Sequence, residues 1–177
     1  MSKRSIAILI FVLVVGILAI SPFILEKMGY GGKRGGIVGS KAPNFKLKSI
    51  DGEMVELSKL NGSVILIDFW TTWCKPCTMA VPFLSRLHVE YADQGLIILS
   101  VNIGEDPSIV SEFADRHKMQ WTVLLDQDRS VAELYGVRAI PTFILIDRNG
   151  IVRFKKAGYS ESVEHDIISI IEEALSG

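Results

Sequence analysis

Hydrophobic and polar positions divide the chain into three regimes. From Ile6 to Ile20 it reads IAILIFVLVVGILAI, with no charged or hydrogen-bonding side chain, and Ser21 to Leu25 extend the apolar stretch to 20 residues. As a helix rising about 1.5 Å per residue, it spans roughly 30 Å, the hydrocarbon thickness of a bilayer. A helix apolar on every side belongs in lipid or a large core, so residues 1–28 are read as an N-terminal transmembrane signal-anchor. The alternative is a cleaved signal peptide: Lys3 and Arg4 form a short basic start, and Ala19-Ile20-Ser21 loosely resembles a cleavage site. Pro22 would then follow the scissile bond, and the apolar run continues past it, which favours the anchor. Six glycines between Gly29 and Gly39 make residues 29–41 a Gly-rich tether. Residues 42–177 form the folded domain.

Within that domain the periodicity changes repeatedly. Phe45 and Leu47 alternate with Lys46 and Lys48, Asp51-Gly52 marks a turn, and Met54 to Leu57 follow, which predicts a β-hairpin. Val64 to Trp70 and Leu96 to Val101 are near-continuous apolar runs, as in strands buried on both faces. Between them a helix is predicted from about Cys74 to Tyr91, kinked at Pro82. A helix from Ser108 to His117, a short strand at Thr122 to Leu125 and a short helix at Arg129 to Tyr135 come next. Thr142 to Ile146 and Ile151 to Phe154 flank Asn149-Gly150, a hairpin signal. Val163, Ile167, Ile170, Ile171 and Leu175 recur at helical spacing. This order predicts an α/β domain: a central mixed sheet flanked by helices, with an N-terminal β-hairpin and a central insertion.

The 177 residues, 49% hydrophobic and 22% charged, suit one globular domain beyond the leader. Outside residues 1–29, 16 basic side chains face 19 acidic ones, a net −3. Nothing in that balance attracts nucleic acid. Lys3 and Arg4 on one flank of the leader, against Lys27, Lys33, Arg34 and Lys41 on the other, leave its orientation undecided by charge.

The chain has two cysteines, Cys74 and Cys77. That excludes a disulfide-stapled scaffold and any four-cysteine metal site. Trp73-Cys74-Lys75-Pro76-Cys77 follows a buried strand and opens a helix. A thiolate there gains from unpaired N–H groups and the positive end of the dipole, and Lys75 adds a cation, so Cys74 is expected to have a lowered pKa and to be nucleophilic. Pro76 occupies the first turn, where a missing N–H costs nothing. A structural disulfide closing so short a loop contributes only about 2 kcal/mol. A metal site needs further ligands, and His88, His117 and His165 are not at ligand spacing; they read as surface or packing residues. Haem attachment needs His where Thr78 stands. Asp68, inside the buried run VILIDFW, is the anomaly: burial raises a carboxyl pKa and makes it a candidate proton acceptor for Cys77.

Ile67 to Cys77 resembles the active-site strand and turn of thioredoxins, and Val137-Arg138-Ala139-Ile140-Pro141-Thr142 resembles that fold's cis-proline segment. Gly39 to Phe45, the Asp51-Gly52 turn and the extra segment near residues 106–120 are similar to the membrane-anchored, extracytoplasmic ResA/TlpA branch. The resemblance covers about residues 38–175. It implies Cys74 as the exposed attacking cysteine, Cys77 as the buried resolving one, Asp68 as the base, and Pro141 as a cis-proline that leaves Ile140 free to pair with substrate backbone. Trp73, Lys75 and Pro76 join the docking surface.

The implied activity is thiol–disulfide exchange in protein substrates by a cell-membrane protein with its domain on the extracytoplasmic side. It needs no cofactor beyond the redox-active Cys74–Cys77 disulfide and a membrane thiol reductant as donor. An apocytochrome c or its maturation factors are the first expected substrates and other envelope proteins the second. Many ResA-like proteins carry Glu shortly after the pair, where this chain has Met79-Ala80-Val81, which weighs against the cytochrome role. Two alternatives remain. One is a peroxiredoxin-like peroxidase, with Thr71 three residues before Cys74 but Ile67 where a proline is expected. The other is a copper-handling module, supported only by Met79.

Overall fold

A computed structural model describes residues 37–176; the leader and residues 29–36 of the tether lie outside the described residues. Eleven elements follow in chain order: β1 (Lys46–Ser49), β2 (Met54–Glu56), β3 (Val64–Trp70), α1 (Lys75–Tyr91), β4 (Leu96–Ile103), α2 (Pro107–Arg116), β5 (Thr122–Asp126), α3 (Ser130–Leu134), β6 (Thr142–Ile146), β7 (Val152–Ala157) and α4 (Glu161–Ser176). The strands form one mixed sheet in the order β2-β1-β5-β4-β3-β6-β7.

The three central strands are parallel, β3 to β4 and β4 to β5, because α1 and α2 carry the chain back between them. The flanking strands are antiparallel: β6 on β3, β7 on β6, β1 on β5 and β2 on β1. Every residue of β3 is buried, as its unbroken apolar run requires.

Side-chain alternation sorts the core onto the two faces of the sheet. Val64, Leu66 and Trp70 of β3 join a cluster with α1, α2 and α4, and that cluster contains both cysteines. Ile65, Ile67 and Phe69 join the opposite cluster with Val131, Ala132 and Tyr135. Asp68 therefore falls, by register, on the face that packs against α1.

Helix starts follow side-chain chemistry. Asp106 caps α2, accepting from Ser108 N at 2.8 Å, and Pro107 sits in the first turn. The Asp126 carboxylate accepts from Val131 N and Ala132 N at the start of α3. In the β6–β7 turn, Asp147 Oδ1 accepts from Asn149 N and Ile151 N, and Gly150 adopts φ 76°, which an L side chain rarely takes.

Element boundaries differ from the sequence expectation in small ways. β2 stops at Glu56 because Leu57 turns into a 3₁₀ helix and buries itself under the sheet. α1 begins at Lys75, one residue after the expected Cys74, and keeps Pro82 inside its span to Tyr91. Folded backbone begins before Ala42: Gly39 N donates to Val152 O, Val152 N to Ser40 O, and Lys41 bridges Ile151. The last residues of the Gly-rich segment thus extend the β7 side of the sheet.

Candidate active site

The cysteine pair sits where β3 ends and α1 begins. Cys74 is the N-cap of α1, not its first residue, and its Sγ accepts the Cys77 backbone N–H at 3.2 Å. That bond satisfies one of the helix's orphan donors and places Sγ at the positive end of the dipole. The two cysteines are joined as a disulfide, with their Cα atoms 5.2 Å apart. Lys75 and Pro76 occupy the first turn of α1, both exposed.

The expected contrast between an exposed and a buried cysteine is absent in this oxidised form: Cys74 is 5% exposed and Cys77 4%. Capping geometry, not exposure, distinguishes the two sulfurs. Trp73 by contrast is 74% exposed, a bare aromatic surface next to the disulfide. Across the site the Ile140–Pro141 peptide is cis. No hydrogen bond ties the Ile140 N–H or carbonyl within the described residues, whereas its neighbours are engaged: Ala139 O accepts from Thr142 Oγ1 and Pro141 O from Gly158 N.

Asp68 is 4% exposed. Burial pushes its carboxyl up to about 7, with the Ser100 hydroxyl pulling weakly the other way. Ser100 Oγ donates to Oδ2 at 3.3 Å and itself accepts Trp121 Nε1–H at 2.8 Å. Oδ1 has no partner. A buried, half-satisfied carboxyl on the cysteine-bearing face can take a proton near neutral pH.

Sequence reasoning missed three residues of this site: Ser100, Trp121 and Glu105. Glu105 accepts from Thr72 N at 2.7 Å, Thr72 Oγ1 at 2.6 Å and Asn102 Nδ2 at 2.7 Å. It therefore clamps the turn between β3 and Cys74. Its signal was its place just past the carboxyl end of β4, where open α/β sheets gather functional groups. His88 and His117 are half-buried and pack on Trp121 and Phe113, while His165 is exposed on α4.

Comparison with known proteins places this arrangement. Residues 38–155 match the model of the AhpC/TSA family. Thiol-disulfide oxidoreductase ResA of Bacillus subtilis is 34% identical over 171 residues, 96% of this chain and 95% of that one. The ResA of Halalkalibacterium halodurans is 35% identical over 135 residues, 76% of this chain and 77% of that one. Among solved structures, one described as the thiol:disulfide interchange protein DsbE of Chlorobium tepidum has a TM-score of 0.74 at 33% identity. It covers 78% of this chain and 97% of that chain.

Proposed function

The chain belongs to the AhpC/TSA family and is a thioredoxin-fold thiol–disulfide oxidoreductase, and from that premise we propose that it works on protein disulfides at the outer face of a membrane. The observation that carries the mechanism is the Cys77 N–H held on Cys74 Sγ at the start of α1. In the reduced protein that donor and the helix dipole favour a Cys74 thiolate.

The Cys74 thiolate attacks one sulfur of a substrate disulfide; that bond breaks and the second substrate sulfur leaves as a thiolate. Cys77 then gives its proton to Asp68 and attacks Cys74 Sγ, closing the Cys74–Cys77 disulfide and releasing the first substrate sulfur as a thiolate. Two electrons pass to the substrate, and a thiol donor in the membrane restores the pair. Run backwards, the same steps oxidise a dithiol. Trp73 and the free backbone of Ile140 beside Pro141 suit an extended cysteine-containing segment added as a strand. Lys75 and Pro76 border it.

Membrane attachment is supported by the apolar stretch Ile6–Leu25 and by the alignment with the Bacillus subtilis relative, which covers 96% of this chain and so takes in most of that stretch. Among the described residues no helix is long and apolar enough to cross a membrane. Substrates in cytochrome c maturation fit the family likeness. Met79-Ala80-Val81, shortly after the pair where many ResA-like chains carry Glu, favours a wider set of envelope proteins.

The test is the Cys77→Ser variant, purified from membranes and analysed by mass spectrometry. Protein adducts on Cys74 support the reading. No adducts, together with rapid peroxide consumption by the parent protein, would replace it with a peroxidase, the reading for which Thr71 speaks.

A further inference from the structure

A groove of about 330 Å³ opens beside the disulfide, lined on one side by Thr71 and Trp73 and on the other by Val137 to Ile140. It is continuous with the site, since Trp73 precedes Cys74 and Ile140 precedes Pro141. We propose that this groove receives the segment flanking the substrate's reactive cysteine and selects one that carries acidic side chains. This rests on the oxidoreductase reading and names the substrate class of the same site.

Charge is the first argument. Arg129 and Arg138 both line the groove, and neither has a carboxylate within ion-pair distance among the described residues, whose ion pairs involve Arg86, Arg116 and Arg153. Glu133 is the single carboxylate on the wall. Lys155 adds a third cation nearby, its Nζ donating to Tyr135 O at 2.7 Å and Gly136 O at 2.9 Å, directly before Val137. Burial first, and the Arg138 guanidinium second, hold the Lys155 ammonium below its ordinary range, so these two cations feel one another. Three cations against one anion stand out on a chain whose remainder after the leader is net negative. Like charges left together beside a reactive site lower their energy by binding an anion.

The second argument is an unpaired polar group. Thr71 is 3% exposed, lines the groove, and its Oγ1 has no hydrogen-bond partner. A buried hydroxyl left open is costly, and Oγ1 itself is closed off from the groove surface, so a peptide group satisfies it only where the wall shifts as the segment docks.

The third is the backbone that sets Arg129. Arg129 adopts φ 64°, unusual outside glycine, and its side chain lies against Gly104, where an added Cβ would stand 2.9 Å from Nε. Gly104 thus leaves room for the guanidinium to lie along the groove wall. The occupant that fits is an extended protein segment with Asp or Glu within a few residues of its cysteine.

The probes are two synthetic peptides, each carrying one cysteine as a mixed disulfide with thionitrobenzoate and differing only in Asp or Lys on both flanks. Cys74 of the reduced full-length protein, in detergent, attacks the peptide sulfur and expels coloured thionitrobenzoate. The Asp peptide is expected to react faster, and Arg129→Gln and Arg138→Gln each to cut that preference about three- to five-fold, the range of a partly exposed ion pair. Arg116→Gln, at an exposed position in the last turn of α2, should leave it unchanged. The double change Arg129→Glu with Arg138→Glu should reverse the preference toward the Lys peptide, a gain that misfolding cannot produce. Equal rates for the two peptides, or a preference that survives the double change, would overturn the groove assignment while leaving the oxidoreductase reading intact. If neither peptide reacts, the reading of the cysteine pair itself falls.

Discussion

Asp68 stands directly opposite Ser100 across the parallel β3–β4 pair, and the hydroxyl between them has only one way to point. Trp121 Nε1 can only donate, and it occupies Ser100 Oγ at 2.8 Å, so the Ser100 hydrogen turns to Asp68 Oδ2 at 3.3 Å. That distance is long for a hydroxyl–carboxylate bond. The bond is too weak to offset burial, which is why the carboxyl titrates near 7 and not in the usual acidic range.

The raised carboxyl makes stability depend on pH. Between the unfolded value near 3.8 and the folded value of about 7, the native state holds more protons on Asp68 than the unfolded chain does. Stability therefore falls as pH rises through that window, by up to roughly 4 kcal/mol from this group. Asp68→Asn removes the titration. Denaturant unfolding of the oxidised domain should show the variant gaining on the parent from pH 5 to pH 8. A difference that stays flat over that range would mean Asp68 is solvated in solution.

The same group governs the second chemical step. Resolution of a mixed disulfide by Cys77 should accelerate with pH, with a midpoint near 7 as Asp68 loses its proton, and Asp68→Asn should lose that midpoint. Ser100→Ala deletes the one hydrogen bond that lowers the Asp68 pKa, so its midpoint should move upward, while Ser100→Thr keeps the hydroxyl and restores it. Rapid-mixing measurements of resolution against pH check this. Identical profiles in all four proteins would remove Asp68 from the proton path.

Much of this was legible from sequence, for reasons that can be named. The run VILIDFW shows a doubly buried strand because every position is buried. The cysteine pair shows a helix start because a cap and a first-turn proline are local signals. Contacts made across the sheet left no local mark: Thr72 meets Glu105 at a separation of 33 residues, and Asp68 meets Ser100 at 32. Cys74's burial was also hidden, because it depends on how the turn folds over the disulfide. The cis state of the Ile140–Pro141 bond came from family resemblance, since most X–Pro bonds are trans.

Glu105 gives those long-range contacts a test. It collects three donors, two of them from Thr72 in the turn that presents Trp73 and Cys74. Hydrogen bonds to a charged acceptor contribute more than neutral ones, so Glu105→Ala should cost roughly 2–3 kcal/mol. It should also slow the initial attack, because the turn is no longer held. Glu105→Gln keeps one acceptor oxygen and should fall between. Thermal unfolding, with thionitrobenzoate release from a peptide disulfide, reads both effects. Unchanged stability and rate in Glu105→Ala would show that the clamp contributes nothing.

The last prediction concerns the leader and follows from its apolar composition. Twenty residues from Ile6 to Leu25 carry no charge, and only Ser21 offers a hydrogen-bonding side chain. Translocon-type scales assign about −0.3 to −0.6 kcal/mol to each central Leu, Ile, Phe or Val, and these residues fill most of the stretch. On these values insertion is the expected outcome, and Pro22 after Ser21 weighs against cleavage there. The full-length chain should stay in membranes through a carbonate wash, and protease added from outside should digest the domain while sparing a short N-terminal fragment. Recovery of a soluble protein beginning near Pro22 would show a cleaved signal instead. Protection of the domain from outside protease would place it on the cytoplasmic face, where reducing conditions and a membrane donor would give the cysteine pair a different task.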